Sequence, residues 1–292
     1  MNWKAFKDHW PNAAYSSFVQ SGPHVWHIQK QGSGPELVLI HGAGGSTHSW
    51  RDVAPLLARY FHVTAVDLPG QGFTELGDRT RCGLDPVSAD LCDLLEDLGI
   101  EPDVVIGHSA GAAISLRMAL DCPRMHRARL ICVNGALGNF RGLAGVLFPV
   151  LAKILSLNPF VPAIFSRTAE GAQRAERLIA STGSKIDAAG MEQYRALITD
   201  RDHVDATLAM MAQWSLDRLL AELPKVTQEV LFITGANDKA VPPDTSDRAA
   251  ARIPNAQVMH LEGLGHLLHE EAPDDFSDAV VTFLNHGDTL TR

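Results

Sequence analysis

Gly107-His108-Ser109-Ala110-Gly111 is the stretch best suited to covalent chemistry. The apolar run Val104-Val105-Ile106 precedes it, and Ala112 and Ala113, which can begin a helix, follow. That order predicts a nucleophile elbow, a tight strand-to-helix turn that exposes a serine hydroxyl. Gly107 and Gly111 suit the turn because strand and helix backbones come too close there for larger side chains. A serine hydroxyl is a poor nucleophile until a base accepts its proton. His266, in the loop Glu262-Gly263-Leu264-Gly265-His266, is the candidate base. Asp238, in the turn after Val230-Leu231-Phe232-Ile233, is the candidate acid that holds the imidazole tautomer. Upstream, Val38-Leu39-Ile40 runs into the turn His41-Gly42-Ala43-Gly44-Gly45. The backbone N–H groups of Ala43 and Ala110 are the candidates for an oxyanion hole. Asn134 closes another strand pattern, but it is uncharged and cannot stabilise an imidazolium as a carboxylate does. Asp238 therefore remains the choice. Each residue taken singly also reads as a plain turn glycine, turn aspartate or loop histidine. Together, and each after a strand pattern, they point to acyl transfer.

The elements that must position these residues follow from apolar patterning. Strands are predicted near 25–30, 36–41, 62–67, 103–108, 129–134, 230–235 and 256–261, and helices near 50–60, 86–98, 110–121, 244–252 and 274–284. Asp85-Pro86 reads as a helix start, with an aspartate N-cap and proline in the first turn. Alternation of this kind gives an α/β fold, a mainly parallel sheet flanked by helices. One long interruption, 136–225, reads as mostly helical, broken early by Pro149, Pro159 and Pro162. It divides the chain into a core, 1–135 with 226–292, and a helical cap, 136–225. Most of the cap's large apolar residues hold the cap together. The remainder, among them Phe148, Phe165, Met210, Met211 and Trp214, are expected to form an apolar substrate pocket over Ser109. Such a pocket favours a bulky apolar substrate over a sugar or phosphate ester. The run Ala144–Leu157 is apolar enough to dock on a membrane surface, but Pro149 and Lys153 favour a cap helix.

Composition restricts the function classes. The chain has 292 residues with 46% hydrophobic content, enough for one sizeable core. A formal net charge of -9 argues against nucleic acid as a partner. Cys82, Cys92, Cys122 and Cys132 form no C-x-x-C and no metal spacing, so reduced structural thiols in a cytoplasmic protein are expected. Thirteen histidines include no pair at ligand spacing with an acidic partner, so no metal is expected. No cofactor is implied. His203 and His269 are expected at the surface or behind the site. The first ten residues carry no apolar signal core, and no run approaches the ~18 apolar residues of a transmembrane segment.

Taken with the serine, aspartate and histidine elements, Asp67-Leu68-Pro69-Gly70-Gln71-Gly72 and Gly265-His266 with Glu271 and Pro273 resemble the α/β-hydrolase superfamily over nearly the whole chain. The resemblance implies an α/β-hydrolase fold with the cap inserted between strands 6 and 7. Within that superfamily, several segments resemble BchO, the magnesium-chelatase accessory family of bacteriochlorophyll biosynthesis. They are Trp10-Pro11-Asn12, Trp26-His27-Ile28-Gln29, Ser46-Thr47-His48-Ser49-Trp50, Gly107 to Ala113, Thr182-Gly183-Ser184, Met210 to Trp214 and Gly265 to Glu271. This implies a place in magnesium chelation, a porphyrin as substrate or ligand, and magnesium-chelatase subunits as partners. It also allows docking at a membrane periphery. Three readings stay open. One is a serine hydrolase of a tetrapyrrole or acyl ester. Another is a non-catalytic porphyrin-binding accessory protein. The third is a general carboxylesterase, or a cofactor-free lyase or C–C hydrolase.

Overall fold

The structure, a computed structural model, describes residues 1–138 and 168–287. The predicted pocket residues Phe148 and Phe165, and the apolar run Ala144–Leu157, lie outside the described residues. Eight strands form one sheet: β1 (Ser16–Ser21), β2 (His24–Gly32), β3 (Glu36–Ile40), β4 (His62–Val66), β5 (Val104–His108), β6 (Arg129–Val133), β7 (Val230–Gly235) and β8 (Ala256–Leu261). Their spatial order is β1-β2-β4-β3-β5-β6-β7-β8. The pairs β1–β2 and β2–β4 are antiparallel, and every later pair is parallel.

The parallel strands read as continuous apolar runs because both of their faces are covered. Successive side chains then serve two cores in turn. Val38, Ile40, Val105, Leu130, Cys132, Val230 and Phe232 face one core. Leu37, Leu39, Val104, Ile106, Ile131, Val133, Leu231 and Ile233 face the other. Each fully buried Val, Leu or Ile contributes about 1.5–3 kcal/mol relative to exposure.

The described helices are α1 (Trp3–Phe6), α2 (Val53–Leu57), α3 (Leu84–Asp97), α4 (Ala110–Asp121), α5 (Thr168–Ser181), α6 (Ala188–Thr199), α7 (Arg201–Gln213), α8 (Asp217–Glu222), α9 (Asp244–Ala250), α10 (Leu268–Glu271) and α11 (Pro273–Gly287). The segment between β6 and β7 contributes α5 to α8. Among the described residues no helix is long and apolar enough to cross a membrane.

Three expectations are corrected. First, β1 was absent from the predicted strands. Its sequence, SSFVQS, is polar and half exposed at the sheet edge, so it carries little apolar signal. Second, α3 starts one residue before Asp85 and its N-cap is Gly83. Pro86 still lies in the first turn, where its missing N–H costs nothing. Third, the four cysteines are not all thiols. Cys92 and Cys122 are bonded, with Cα atoms 5.8 Å apart. Thirty residues separate them, so no local spacing signals the pair. Packing of α3 beside α4 brings them together. Cys82 and Cys132 are free and buried. Burial pushes the Cys82 thiol up to about 11 and raises Cys132 as well.

Candidate active site

Ser109 stands between β5 and α4 with φ 52 and ψ −110, a conformation non-glycine residues rarely adopt. The backbone on either side of it is closely packed. A Cβ on Gly107 would come within 2.3 Å of Gly111 O, and one on Gly111 within 2.3 Å of Ile40 O. The Ser109 N–H donates to Val133 O at 2.9 Å, and its carbonyl accepts from Ala136 N at 3.0 Å.

Asp238 and His266 come from the ends of the next strands. Asp238 Oδ1 accepts the N–H groups of Ala240 and Val241, both at 2.8 Å. His266 Nδ1 donates to Asp238 Oδ2 at 2.7 Å. That bond fixes the tautomer and leaves Nε2 as an acceptor. Both side chains are largely buried.

The glycine-rich turn lies against the elbow. A Cβ on Gly42 would come within 3.0 Å of Ser109 Cβ. Leu68 N donates to His41 Nε2 at 2.9 Å, so His41 Nδ1 donates to Gly42 O, at 2.7 Å. Gln71 Oε1 accepts from Gly44 N at 2.7 Å. Among the described residues, the N–H groups of Ala43 and Ala110 have no protein acceptor.

Several residues near this site were not assigned roles from sequence. Asn134 adopts φ 44 and is buried. Its Nδ2 donates to Gly265 O at 3.0 Å and His266 O at 2.8 Å, and its Oδ1 accepts from Gly235 N at 2.9 Å. It therefore ties the histidine loop to the end of β7, which leads to Asp238. His108 Nε2 donates to the same His266 carbonyl at 2.9 Å. The His108 ring lies between His266 and His269, with centroids 4.7 and 4.6 Å away.

His269 and His203, expected at the surface or behind the site, are both buried, so only the surface alternative is corrected. His269 packs near Trp50, with ring centroids 4.5 Å apart, and among the described residues neither of its ring nitrogens has a hydrogen-bond partner. His203, on α7, accepts from Gly72 N at 3.0 Å and donates to Gly44 O at 3.2 Å. A helix of the insertion thus grips the glycine-rich turn.

Met210, on the same helix, is buried with its Sδ 3.1 Å from Gln71 Nε2. Met211 and Trp214 are half-buried, and Trp214 packs on the core that contains Ala110. Behind the histidine loop, Glu270 accepts from Arg51 Nη1 at 2.6 Å, Tyr194 OH at 2.6 Å and Ser49 Oγ at 2.8 Å. This buried set joins the residues after the glycine-rich turn, α6 and α10.

Burial lowers the pKa of five of these histidines, because the charged form loses hydration. His203 falls to about 4 and His269 to about 3, and His41, His48 and His108 are lowered too. The unfolded chain protonates His203 and His269 near pH 6.5, whereas the folded chain resists their protonation until about pH 4 and about pH 3. The unfolded state thus binds more protons in between. Stability present above pH 6.5 is lost as pH falls toward 4, at about 1.4 kcal/mol per pH unit for each histidine. Urea midpoints at pH 7 and pH 5 should therefore fall steeply toward acid. A flat profile over that range contradicts neutral burial.

The Alpha/beta hydrolase family model matches residues 37–279. The Magnesium-chelatase 30 kDa subunit of Rhodobacter capsulatus is 41% identical over 97% of this chain and 99% of its own length. The 2-hydroxy-6-oxo-6-(2'-aminophenyl)hexa-2,4-dienoic acid hydrolase of Metapseudomonas resinovorans is 27% identical over 96% of this chain and 94% of its own. The crystal structure of a hydrolase from Pseudomonas aeruginosa PA01 superposes with TM-score 0.76 at 22% identity, covering 94% of this chain and 99% of that one. The similarity to the magnesium-chelatase subunit agrees with the BchO resemblance of the sequence motifs. With the sheet order, the elbow and a family match over most of its length, this chain belongs to the alpha/beta hydrolase family.

Proposed function

We propose that this protein is a serine hydrolase acting in the magnesium-chelation stage of bacteriochlorophyll biosynthesis, on a bulky apolar tetrapyrrole or acyl ester. The observation that carries the reading is the 2.7 Å bond between His266 Nδ1 and Asp238 Oδ2, together with a serine held at φ 52 on the turn between β5 and α4. In this reading Ser109 Oγ attacks the ester carbonyl and its proton passes to His266 Nε2. Asp238 stabilises the imidazolium. The Ala43 and Ala110 N–H groups take the charge that develops on the carbonyl oxygen. The imidazolium then protonates the leaving alkoxide, and water repeats the sequence to release the acid.

The segment 136–225 is read as a cap over this site, with 1–135 and 226–292 as the core. Phe148, Phe165, Met210, Met211 and Trp214 are its candidate pocket residues. The apolar character of that set suits a porphyrin face or an acyl chain. The relative from Rhodobacter capsulatus favours the porphyrin and, as partners, the subunits of a magnesium chelatase. The same similarity supports a second reading, a porphyrin-binding accessory protein that does no chemistry.

Protoporphyrin titration separates the two. Saturable quenching of tryptophan fluorescence is expected in both the native chain and Ser109→Ala, because binding and chemistry use different groups. Trp214→Ala should weaken that binding. Porphyrin binding without covalent labelling of Ser109 by a fluorophosphonate favours the accessory reading. Fast cleavage of simple acyl esters without porphyrin binding overturns the tetrapyrrole assignment.

A further inference from the structure

The antiparallel edge of the sheet carries a second serine–histidine–aspartate array, distinct from Ser109. In the β1–β2 register, Ser16 faces Gln29 and Phe18 faces His27. Ser16 and Phe18 share one face of β1, and His27 and Gln29 share the adjoining face of β2. On the other side of β2 the Asp67 N–H donates to His27 O at 3.0 Å, which sets Asp67 beside His27. Three adjacent segments thus align one side chain each. His27 Nδ1 donates to Asp67 Oδ2 at 2.7 Å. His27 Nε2 lies 2.9 Å from Ser16 Oγ.

The tautomer follows from these contacts. Asp67 also accepts the N–H groups of Thr47 at 2.6 Å and Phe73 at 2.8 Å. Burial alone would raise its pKa, but His27, His41 and the Phe73 N–H pull it down to about 2. His27 Nδ1 faces the Asp67 carboxylate and Nε2 faces Ser16 Oγ, so in the neutral ring with its proton on Nδ1 the Ser16 O–H donates to Nε2. An acid-oriented imidazole thus accepts the proton of a half-buried hydroxyl, the arrangement that activates a serine.

We propose that Ser16 is a second acyl-accepting hydroxyl, with His27 as its base and Asp67 orienting that base, and that it takes an apolar acyl group from an activated ester. Ser16 Oγ bonds to the acyl carbon while the bond from that carbon to the leaving oxygen breaks. The Ser16 proton passes to His27 Nε2 and from there to the leaving aryloxide. The products are an O-acyl serine and a phenol. The apolar preference comes from the surroundings. Trp3 and Phe18 flank the His27 ring, each with its centroid 5.2 Å away, and Phe18 is 42% exposed.

Gln29 Nε2 supplies one nearby donor, 3.2 Å from Ser16 Oγ, and also donates to Pro11 O at 2.8 Å. Acylation fills the single Ser16 hydroxyl, so the site takes one acyl group per molecule.

The test uses full-length Ser109→Ala protein, p-nitrophenyl hexanoate and peptide mass mapping. Ser17, the exposed neighbour on the opposite face of β1, is the internal control. A positioned general base is worth about 10²–10⁴-fold. Ser16 should therefore be acylated at least ~100-fold faster than Ser17, to one equivalent. His27→Gln should bring Ser16 to the Ser17 rate. Equal acylation of Ser16 and Ser17 in the Ser109→Ala protein overturns the proposal, whether or not His27→Gln folds. Mapping the native chain separately at Ser109 keeps the two serines distinguishable. Loss of either adduct leaves the other reading intact.

Discussion

Ser109→Ala should lower turnover of an apolar aryl ester by about 10⁴-fold or more and remove fluorophosphonate labelling at position 109, with the melting temperature nearly unchanged. The size of the effect follows from the geometry. Ser109 Oγ is the hydroxyl that the strained turn carries, and Ser109→Ala removes it while leaving the His266–Asp238 bond in place. Asp238→Asn should cost a comparable factor by a different route. An asparagine can present its amide N–H to His266 Nδ1, which turns the imidazole to the wrong tautomer and protonates Nε2. The Oδ1 bonds to Ala240 and Val241 survive in that variant, so the loop should keep its shape. The check is kcat for both variants beside thermal unfolding. Full labelling at position 109 is impossible in Ser109→Ala, so the informative comparison is turnover. An unchanged kcat in a folded Ser109→Ala protein sinks the hydrolase assignment. A loss below tenfold for Asp238→Asn rejects Asp238 as the orienting acid.

The parts of the fold visible in the sequence were those with a local signature. Val104 to Ile106 and Val230 to Ile233 are short apolar runs ending at small or polar residues, and both are buried strands. The elbow was legible because close packing admits only glycine at 107 and 111, and glycine is easily seen. β1 was not legible, since an edge strand needs no continuous apolar face. Asn134 was weighed as a failed acid. Its structural work, three hydrogen bonds to the histidine loop and the end of β7, depends on residues 101 to 132 positions away. No local pattern records such partners. For His203 and His269 the choice between the surface and a place behind the site stayed open for a related reason. Histidine is intermediate in burial preference, so its position depends on what packs around it. The Cys92–Cys122 bond likewise depends on how two helices meet.

Glu270 carries the largest expected effect on stability. Its carboxylate is fully enclosed and accepts from Arg51, Tyr194 and Ser49. Arg51 is itself buried, and its other contacts, Asp52 at 3.1 Å and Asp187 at 3.1 Å, are to half-exposed or exposed carboxylates. Glu270→Leu removes the one enclosed counter-charge and leaves three donors facing a methyl group. Breaking a buried pair this way costs about 3–5 kcal/mol. For a chain of this size that corresponds to a fall of about 6–15 °C in melting temperature. The neighbours should feel it, because Glu270 lies four residues beyond His266 and its network joins α6 to α10. Turnover should therefore fall in the surviving folded protein as His266 loses its fixed backing. Arg51→Leu combined with Glu270→Leu should recover part of the stability, since the lone buried charge is then gone. Thermal unfolding of the two single variants and the double variant checks the cycle. A loss under 1 kcal/mol for Glu270→Leu, or strict additivity in the double variant, rules out the buried ion pair as the link between the histidine loop and α6.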